Sequence, residues 1–225
     1  MEPEFWRELW REGRTGFHQD RVTPLLEQYW PALALPPDSR VFVPLAGKSR
    51  DLAWLAAQGH RVLGVELSPL AVEQFFTEQC LTPVTRDTRY GRHYLATGSG
   101  AGSIELICGD VFGLDAELLS TCSGVFDRAA LVALSPALRQ RYAADVYGKL
   151  PAGCRGLLIT FEYAQGDMSG PPFSVPEAEV DALYRQAWTA SVLSRQDTLA
   201  RQPGFAAVGL TALATVAYRI ERRAA

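Results

Sequence analysis

The chain has little of what marks the specialised protein classes. Its four cysteines, Cys80, Cys108, Cys122 and Cys154, are widely and irregularly spaced. They make no C-x-x-C pair and no zinc-ligand pattern, so free thiols in a reducing compartment are expected. No stretch approaches 18 apolar residues, so no membrane span is expected. The opening MEPEFWRELWREGR is charged and lacks an apolar signal core, so a cytoplasmic protein without a secretory leader is expected. Neither sign of charge dominates: 22 Lys and Arg against 25 Asp and Glu leave a net charge of −3. With a sequence pI of about 5.7, nothing suggests a nucleic-acid footprint. The basic run from Arg219 to Arg223 reads as the solvated end of a last strand. No internal repeat is present.

What remains is a globular composition, 48% hydrophobic and 21% charged, over 225 residues, which suits one domain with a large core. Phe5, Trp6, Leu9 and Trp10 share one face of a short helix that Gly13 and Gly16 break. A second helix runs from about Val22 to Trp30 and stops at Pro31. Residues 1–38 therefore read as an N-terminal helical cap or lid. After them, strands and helices alternate. RVFVPL, HRVLGVEL, SIELICGDVF, GVFDRAALVAL and GLLITFEY read as strands. SRDLAWLAAQG, SPLAVEQFFTEQC, SPALRQRYAADVYGKL and PEAEVDALYRQAW read as helices, two of them opened by Ser-Pro. SVLSRQDTLA and TALATVAYRIER read as a closing pair of strands. The pattern predicts a single α/β domain over residues 1–225. Its sheet is doubly wound and Rossmann-like, with seven mostly parallel strands and an antiparallel edge. The ATGSGAGS stretch, residues 96–103, precedes a strand and reads as a surface loop. Residues 162–180 form a long loop leaving a strand's carboxyl end, where such sheets carry function.

Phosphate-binding glycines are also scarce. Gly47-Lys48-Ser49 matches the end of a P-loop, G-x-x-x-x-G-K-S/T, but the first glycine of that motif falls on Phe42. A Cβ and a ring there prevent the backbone from curling round phosphates. The same turn lacks the G-x-G-x-x-G of a dinucleotide site. Glu66 ends the second strand 19 residues after Gly47, near the place of a ribose-binding acid. Its alternative role is a helix N-terminal anion. The site suits a nucleoside without phosphates, and S-adenosylmethionine fits. Asp110 ends the third strand, placed for the adenine amino group, and Asp127-Arg128 end the fourth.

These residues lie in segments that resemble the thiopurine S-methyltransferase family over nearly the whole chain. The carriers are FWRELWREGRTGFHQ, RVFVPLAGKSRDLAWLAAQGHRVLGVELSPLAVEQFF, FDRAALVAL and GPPFSVP, in this order. The family's usual turn reads Pro-Leu-Cys-Gly-Lys, and Ala46 stands here for the Cys. The Gly/Ser-rich insert near residue 98 is a second departure. The resemblance implies cofactor binding by Trp10, Leu45, Glu66, Asp110, Val111 and Arg128. It implies a substrate wall of Phe17, Pro171 and Pro172.

The residue chemistry leaves alternatives beside these roles. Trp10 either faces a sulfonium cation or packs an amphipathic helix. Arg128 pairs either with the methionine carboxylate or an anionic substrate, or with Asp127. His18 is either a general base or a hydrogen-bonded structural residue. The expected activity is methyl transfer from S-adenosylmethionine to a small aromatic or heterocyclic thiol, or a selenium species. A monomer with no metal, nucleic-acid or membrane partner is expected. The rivals are methylation of halide, thiocyanate or tellurium anions, and a non-catalytic cofactor-binding protein on the same fold.

Overall fold

The computed structural model describes residues 3–97 and 102–224. Within them lies one sheet in the order β3-β4-β5-β2-β1-β6-β7-β9-β8. Its strands are β1 (Arg40–Val43), β2 (Arg61–Glu66), β3 (Val84–Thr88), β4 (Gly91–Thr97), β5 (Ser103–Cys108), β6 (Gly124–Arg128), β7 (Arg155–Glu162), β8 (Trp188–Asp197) and β9 (Ala214–Arg222). The helices are α1 (Pro3–Arg11), α2 (Pro24–Tyr29), α3 (Arg50–Ala57), α4 (Pro69–Glu78), α5 (Ala116–Leu119), α6 (Ala130–Ala133), α7 (Pro136–Asp145), α8 (Glu177–Tyr184) and α9 (Pro203–Ala207). The five central strands, β5, β2, β1, β6 and β7, run parallel. β9 is antiparallel to both β7 and β8, which makes the expected antiparallel edge.

Alternate side chains along the strands feed two cores. Phe42, Leu63, Val65, Ile107, Val125 and Leu158 pack under α6, α7 and α8. Val41, Val43, Val62, Leu106, Phe126 and Leu157 pack under α2, α3 and α4. Both faces of the central strands are therefore covered, and ligands of such sheets bind at the strands' carboxyl ends. The Ser68 cap read from sequence forms, with Ser68 Oγ accepting from Ala71 N at the start of α4, while Ser135 opens α7 without a side-chain cap bond. Ser49 Oγ, not singled out from sequence, accepts from Asp51 N at the start of α3. The helix expected through Trp188 instead ends at Tyr184, and Trp188 opens β8, where it is buried against Tyr147.

All seven expected strands form, and a hairpin adds two more. β3 and β4 pair antiparallel, and β4 pairs antiparallel with β5. The sequence hides this hairpin because β3, VTRDT, is polar and exposed and so carries no apolar alternation. Its two-residue turn, Arg89-Tyr90, also lacks the Asn-Gly or Asp-Gly signal. A buried polar chain holds the hairpin instead. His93 bridges Thr88 Oγ1 at 2.8 Å and Glu105 Oε1 at 2.7 Å, and Arg40 reaches Glu105 Oε2 at 2.5 Å. The 96–103 stretch is divided by the structure. Ala96 and Thr97 end β4 and Ser103 starts β5, while residues 98–101 lie outside the described residues.

Candidate active site

The strand order reverses its direction of growth at β1, with β2 on one side and β6 on the other. Two non-glycine residues in left-handed backbone flank that point: Leu45, φ 46°, after β1, and Ala129, φ 71°, after β6. Such conformations are uncommon for residues with a Cβ and cluster at functional sites.

The turn after β1 is stitched to β2. Ala46 N donates to Val65 O at 2.8 Å. Gly47 N donates to Glu66 Oε2 at 2.8 Å, and Ser68 N donates to Glu66 Oε1 at 2.8 Å. Glu66 is 6% exposed. Burial raises its pKa, and the backbone N–H bonds oppose that rise. Each carboxylate oxygen still has a lone pair beyond its backbone bond. The expected acid is therefore also the fastener between two turns. Gly109 N donates to Glu66 O at 2.9 Å, which brings the end of β5 alongside. Asp110 is exposed there and caps the short turn Val111–Gly113 through Phe112 N, while Val111 is buried.

Trp10 closes the turn from above and is 4% exposed. A Cβ on Gly47 would stand 3.3 Å from Trp10 Cζ2, and Gly47 has φ +54°. Any other residue here would strain the backbone and press on the Trp10 indole. Phe17 packs edge-on against Trp6 and Trp10, with ring centroids 5.7 and 5.5 Å apart. The N-terminal segment is pinned at its far end by buried Asp51, which accepts from Thr23 N at 2.7 Å and Thr23 Oγ1 at 2.9 Å. Lys48 pairs with Glu78 at 2.5 Å, and Ser49 Oγ donates to Asp51 Oδ2 at 2.9 Å. The lysine and serine of the P-loop-like triplet are both committed to protein partners. That answers the phosphate question raised by the triplet.

At the end of β6, Arg128 is half-buried, and its Nη2 lies 3.5 Å from Phe17 O. No carboxylate among the described residues comes within ion-pair distance of it. Burial pulls its pKa down, and Asp51 pulls it back up. The alternative pairing with Asp127 does not form. Asp127 turns into the core, where it accepts from Tyr142 Oη at 2.8 Å and Tyr147 Oη at 2.9 Å. His18 is half-buried, and burial first, then Lys48, lowers its pKa below the ordinary 6.5.

The loop after β7 carries Pro171 and Pro172. Tyr163 Oη donates to Pro172 O at 2.6 Å. Phe173 N donates to Val132 O at 2.7 Å, which ties the segment to α6, just beyond Arg128. The structure thus gathers Trp10, Phe17, Leu45, Glu66 and Arg128, sets Asp110 and Val111 beside Glu66, and attaches the proline segment through Val132. Sequence reasoning missed Asp51 and Asp127 as anchors. The Thr23-Pro24 helix start and the paired tyrosines of α7 and its following turn are the signals that point to them.

A separate concavity lies elsewhere. A groove of about 1120 Å³ is lined by Arg139, Glu162, Phe173, Glu179, Arg195 and Leu213, among others, and by none of the expected site residues. Its arginines are already paired, Arg139 with Glu179 and Arg195 with Glu162 and Glu177. The strand-end site holds Arg128, without an ion-pair partner among the described residues, beside the left-handed turns at Leu45 and Ala129.

A solved methyltransferase from Burkholderia thailandensis, with 1,6-didemethyltoxoflavin and S-adenosylhomocysteine bound, superposes with a TM-score of 0.64 at 18% identity. The match covers 99% of this chain and 87% of that one. A S-adenosylmethionine-dependent methyltransferase from Methanosarcina mazei superposes with a TM-score of 0.60 at 14% identity, covering 90% and 98%. These likenesses show the fold. The family model for thiopurine S-methyltransferase matches residues 1–223. A thiopurine S-methyltransferase of Nitrosomonas eutropha is 60% identical over 224 residues, covering 100% of both chains. One of Xanthomonas campestris is 57% identical, covering 99% of this chain and 100% of that protein. The chain therefore belongs to the thiopurine S-methyltransferase family of S-adenosylmethionine-dependent methyltransferases.

Proposed function

We propose that the protein moves the methyl group of S-adenosylmethionine to the sulfur of a small aromatic or heterocyclic thiol, with a selenol as a close substitute. The observation that carries this reading is the pairing of buried Glu66 with ion-unpaired Arg128 across the switch point. A nucleoside with a diol and an amino-acid tail asks for an acceptor-only group at one end and a cation at the other. The residues present fit it. Glu66 keeps lone pairs for the ribose hydroxyls. Asp110 and Val111 stand beside it for the adenine. Arg128 is left to take the tail carboxylate. The single-glycine turn of Leu45 to Gly47 leaves no cradle for phosphates.

S-adenosylmethionine, when bound, supplies an electrophilic methyl on a sulfonium and leaves as a neutral thioether. The protein's part is to bind, orient and exclude water. Trp10 offers a ring face to a cation, an interaction of about 0.5–2 kcal/mol. Phe17, Pro171 and Pro172 offer apolar walls for the acceptor ring. Aromatic and heterocyclic thiols ionise readily, so much of the acceptor arrives as thiolate near neutral pH. No strong base is then required. Holding thiolate and methyl carbon at about 3–3.5 Å in line is the catalytic contribution. α1 and the following segment act as the cover that keeps water out.

The test is a turnover screen of aromatic thiols, selenols, halides and thiocyanate with S-adenosylmethionine. Fast methylation of aromatic thiols and none of halides supports the reading. Turnover confined to inorganic anions refutes it.

A further inference from the structure

Asp127 and Arg128 are consecutive on β6, so their side chains leave opposite faces of the sheet. Asp127 is 0% exposed. Its Oδ2 accepts from Tyr142 Oη at 2.8 Å and Tyr147 Oη at 2.9 Å, and its Oδ1 accepts from Leu131 N at 3.3 Å. No cation of the described residues lies within ion-pair distance of it. A carboxylate buried without a cation is unfavourable, and an apolar residue would fill this core position at less cost. The arrangement therefore calls for a gain elsewhere.

That gain lies in the turn. Leu131 N is on the far side of the Arg128–Ala130 bend, whose middle residue, Ala129, is held at φ 71°. The bond from Asp127 to Leu131 spans the bend, and the two tyrosines fix the carboxylate that makes it. The tyrosines are themselves wedged, Tyr147 against Tyr184 at 4.9 Å and Trp188 at 5.2 Å between ring centroids. Arg128 sits inside this closed bend. Apart from a 3.5 Å approach to Phe17 O, no side-chain hydrogen bond of the described residues aims its guanidinium. The bend sets the point and direction from which its side chain departs.

We infer that Asp127 is a positioning residue, which locks the β6–α6 bend through Leu131 N, Tyr142 and Tyr147 so that Arg128 points at the tail carboxylate of the cofactor. The inference rests on the reading of Arg128 given above, and the test separates the two.

Wild type, D127N, Y142F/Y147F, R128M and D127N/R128M are titrated calorimetrically with two probes. One is S-adenosylhomocysteine. The other is 5′-methylthioadenosine, the same nucleoside thioether without the amino-acid tail. R128M is expected to weaken S-adenosylhomocysteine and to leave methylthioadenosine unchanged. D127N and Y142F/Y147F are expected to do the same, by roughly tenfold, and D127N is expected to add nothing in the R128M background. If D127N does not fold, the double phenylalanine variant, which keeps the aromatic packing, carries the test. Wild-type affinity for S-adenosylhomocysteine in D127N or Y142F/Y147F would overturn the inference. So would equal losses for both probes, the mark of general loosening, or additivity with R128M. An R128M variant that binds both probes as wild type does removes the premise, and the inference falls with it.

Discussion

Glu66→Gln isolates the group proposed above to hold the cofactor's ribose. The carboxylate accepts two backbone bonds of 2.8 Å, from Gly47 N and Ser68 N, one on each oxygen. Glutamine keeps one carbonyl oxygen and puts an amide nitrogen in the other place. One backbone N–H then faces a donor and loses its partner. Two effects on stability oppose each other, because the neutral side chain also relieves the burial that raises the Glu66 pKa. The variant should therefore stay folded, which a thermal melt checks. Binding has no such offset. A ribose diol offers two hydroxyl donors, the carboxylate can take both, and the amide can take one. Losing one hydrogen bond to a charged acceptor costs about 1.5–3 kcal/mol. That is a fall in S-adenosylhomocysteine affinity of roughly 10- to 150-fold. Titration calorimetry reads it directly. A folded E66Q protein that binds S-adenosylhomocysteine as wild type does would refute the ribose assignment.

Three further outcomes are expected. His18→Gln should change the maximal rate modestly, and the pH profile should follow the acceptor's own thiol pKa. A 100- to 10,000-fold loss, with a profile fixed for every thiol, would instead make His18 the general base. His60 is lowered below its ordinary 6.5 by burial, and its Nε2 accepts from Trp30 Nε1 at 3.0 Å. Protonation removes that acceptor, so its contribution to stability is complete above about pH 6.5 and is lost as pH falls toward the folded pKa. Urea unfolding from pH 8 to 5.5 should show this slope, flattened in His60→Gln, and an identical slope in both proteins would remove His60 as its source. Hydrogen exchange across residues 5–20 should slow when S-adenosylhomocysteine and a thiol are both bound, and unchanged rates would argue for a fixed cap rather than a lid.

The sheet was legible because its central strands are buried on both faces and read as short apolar runs between capped helices. Ser68 announces α4 by its side chain. The hairpin of β3 and β4 was not legible, because its fixing comes from His93 and Glu105, distant in sequence and polar. Among the candidate site residues, Glu66 was proposed from its spacing to Gly47, and Trp10 and Arg128 from the family resemblance. What one chain does not display is which way a strand-end pair points. Asp127-Arg128 reads equally as an ion pair or as two residues with separate partners, and the pleat of β6 with the tyrosines beneath it selects the second. The groove by Arg139 and Glu179 was not legible either, since the loop after β7 forms it only together with α7, α8, β8 and the start of β9.

The central claim, transfer to sulfur, is tested most directly by identifying the methylated atom. 6-Mercaptopurine offers one sulfur and several ring nitrogens to the same electrophile. Incubation with methyl-¹³C-labelled S-adenosylmethionine, followed by carbon NMR of the product, assigns the label. The account predicts a single thioether methyl, with S-adenosylhomocysteine formed in equal amount. Label on ring nitrogen, or no label transferred to this or any aromatic thiol by a protein that binds S-adenosylhomocysteine, would contradict it.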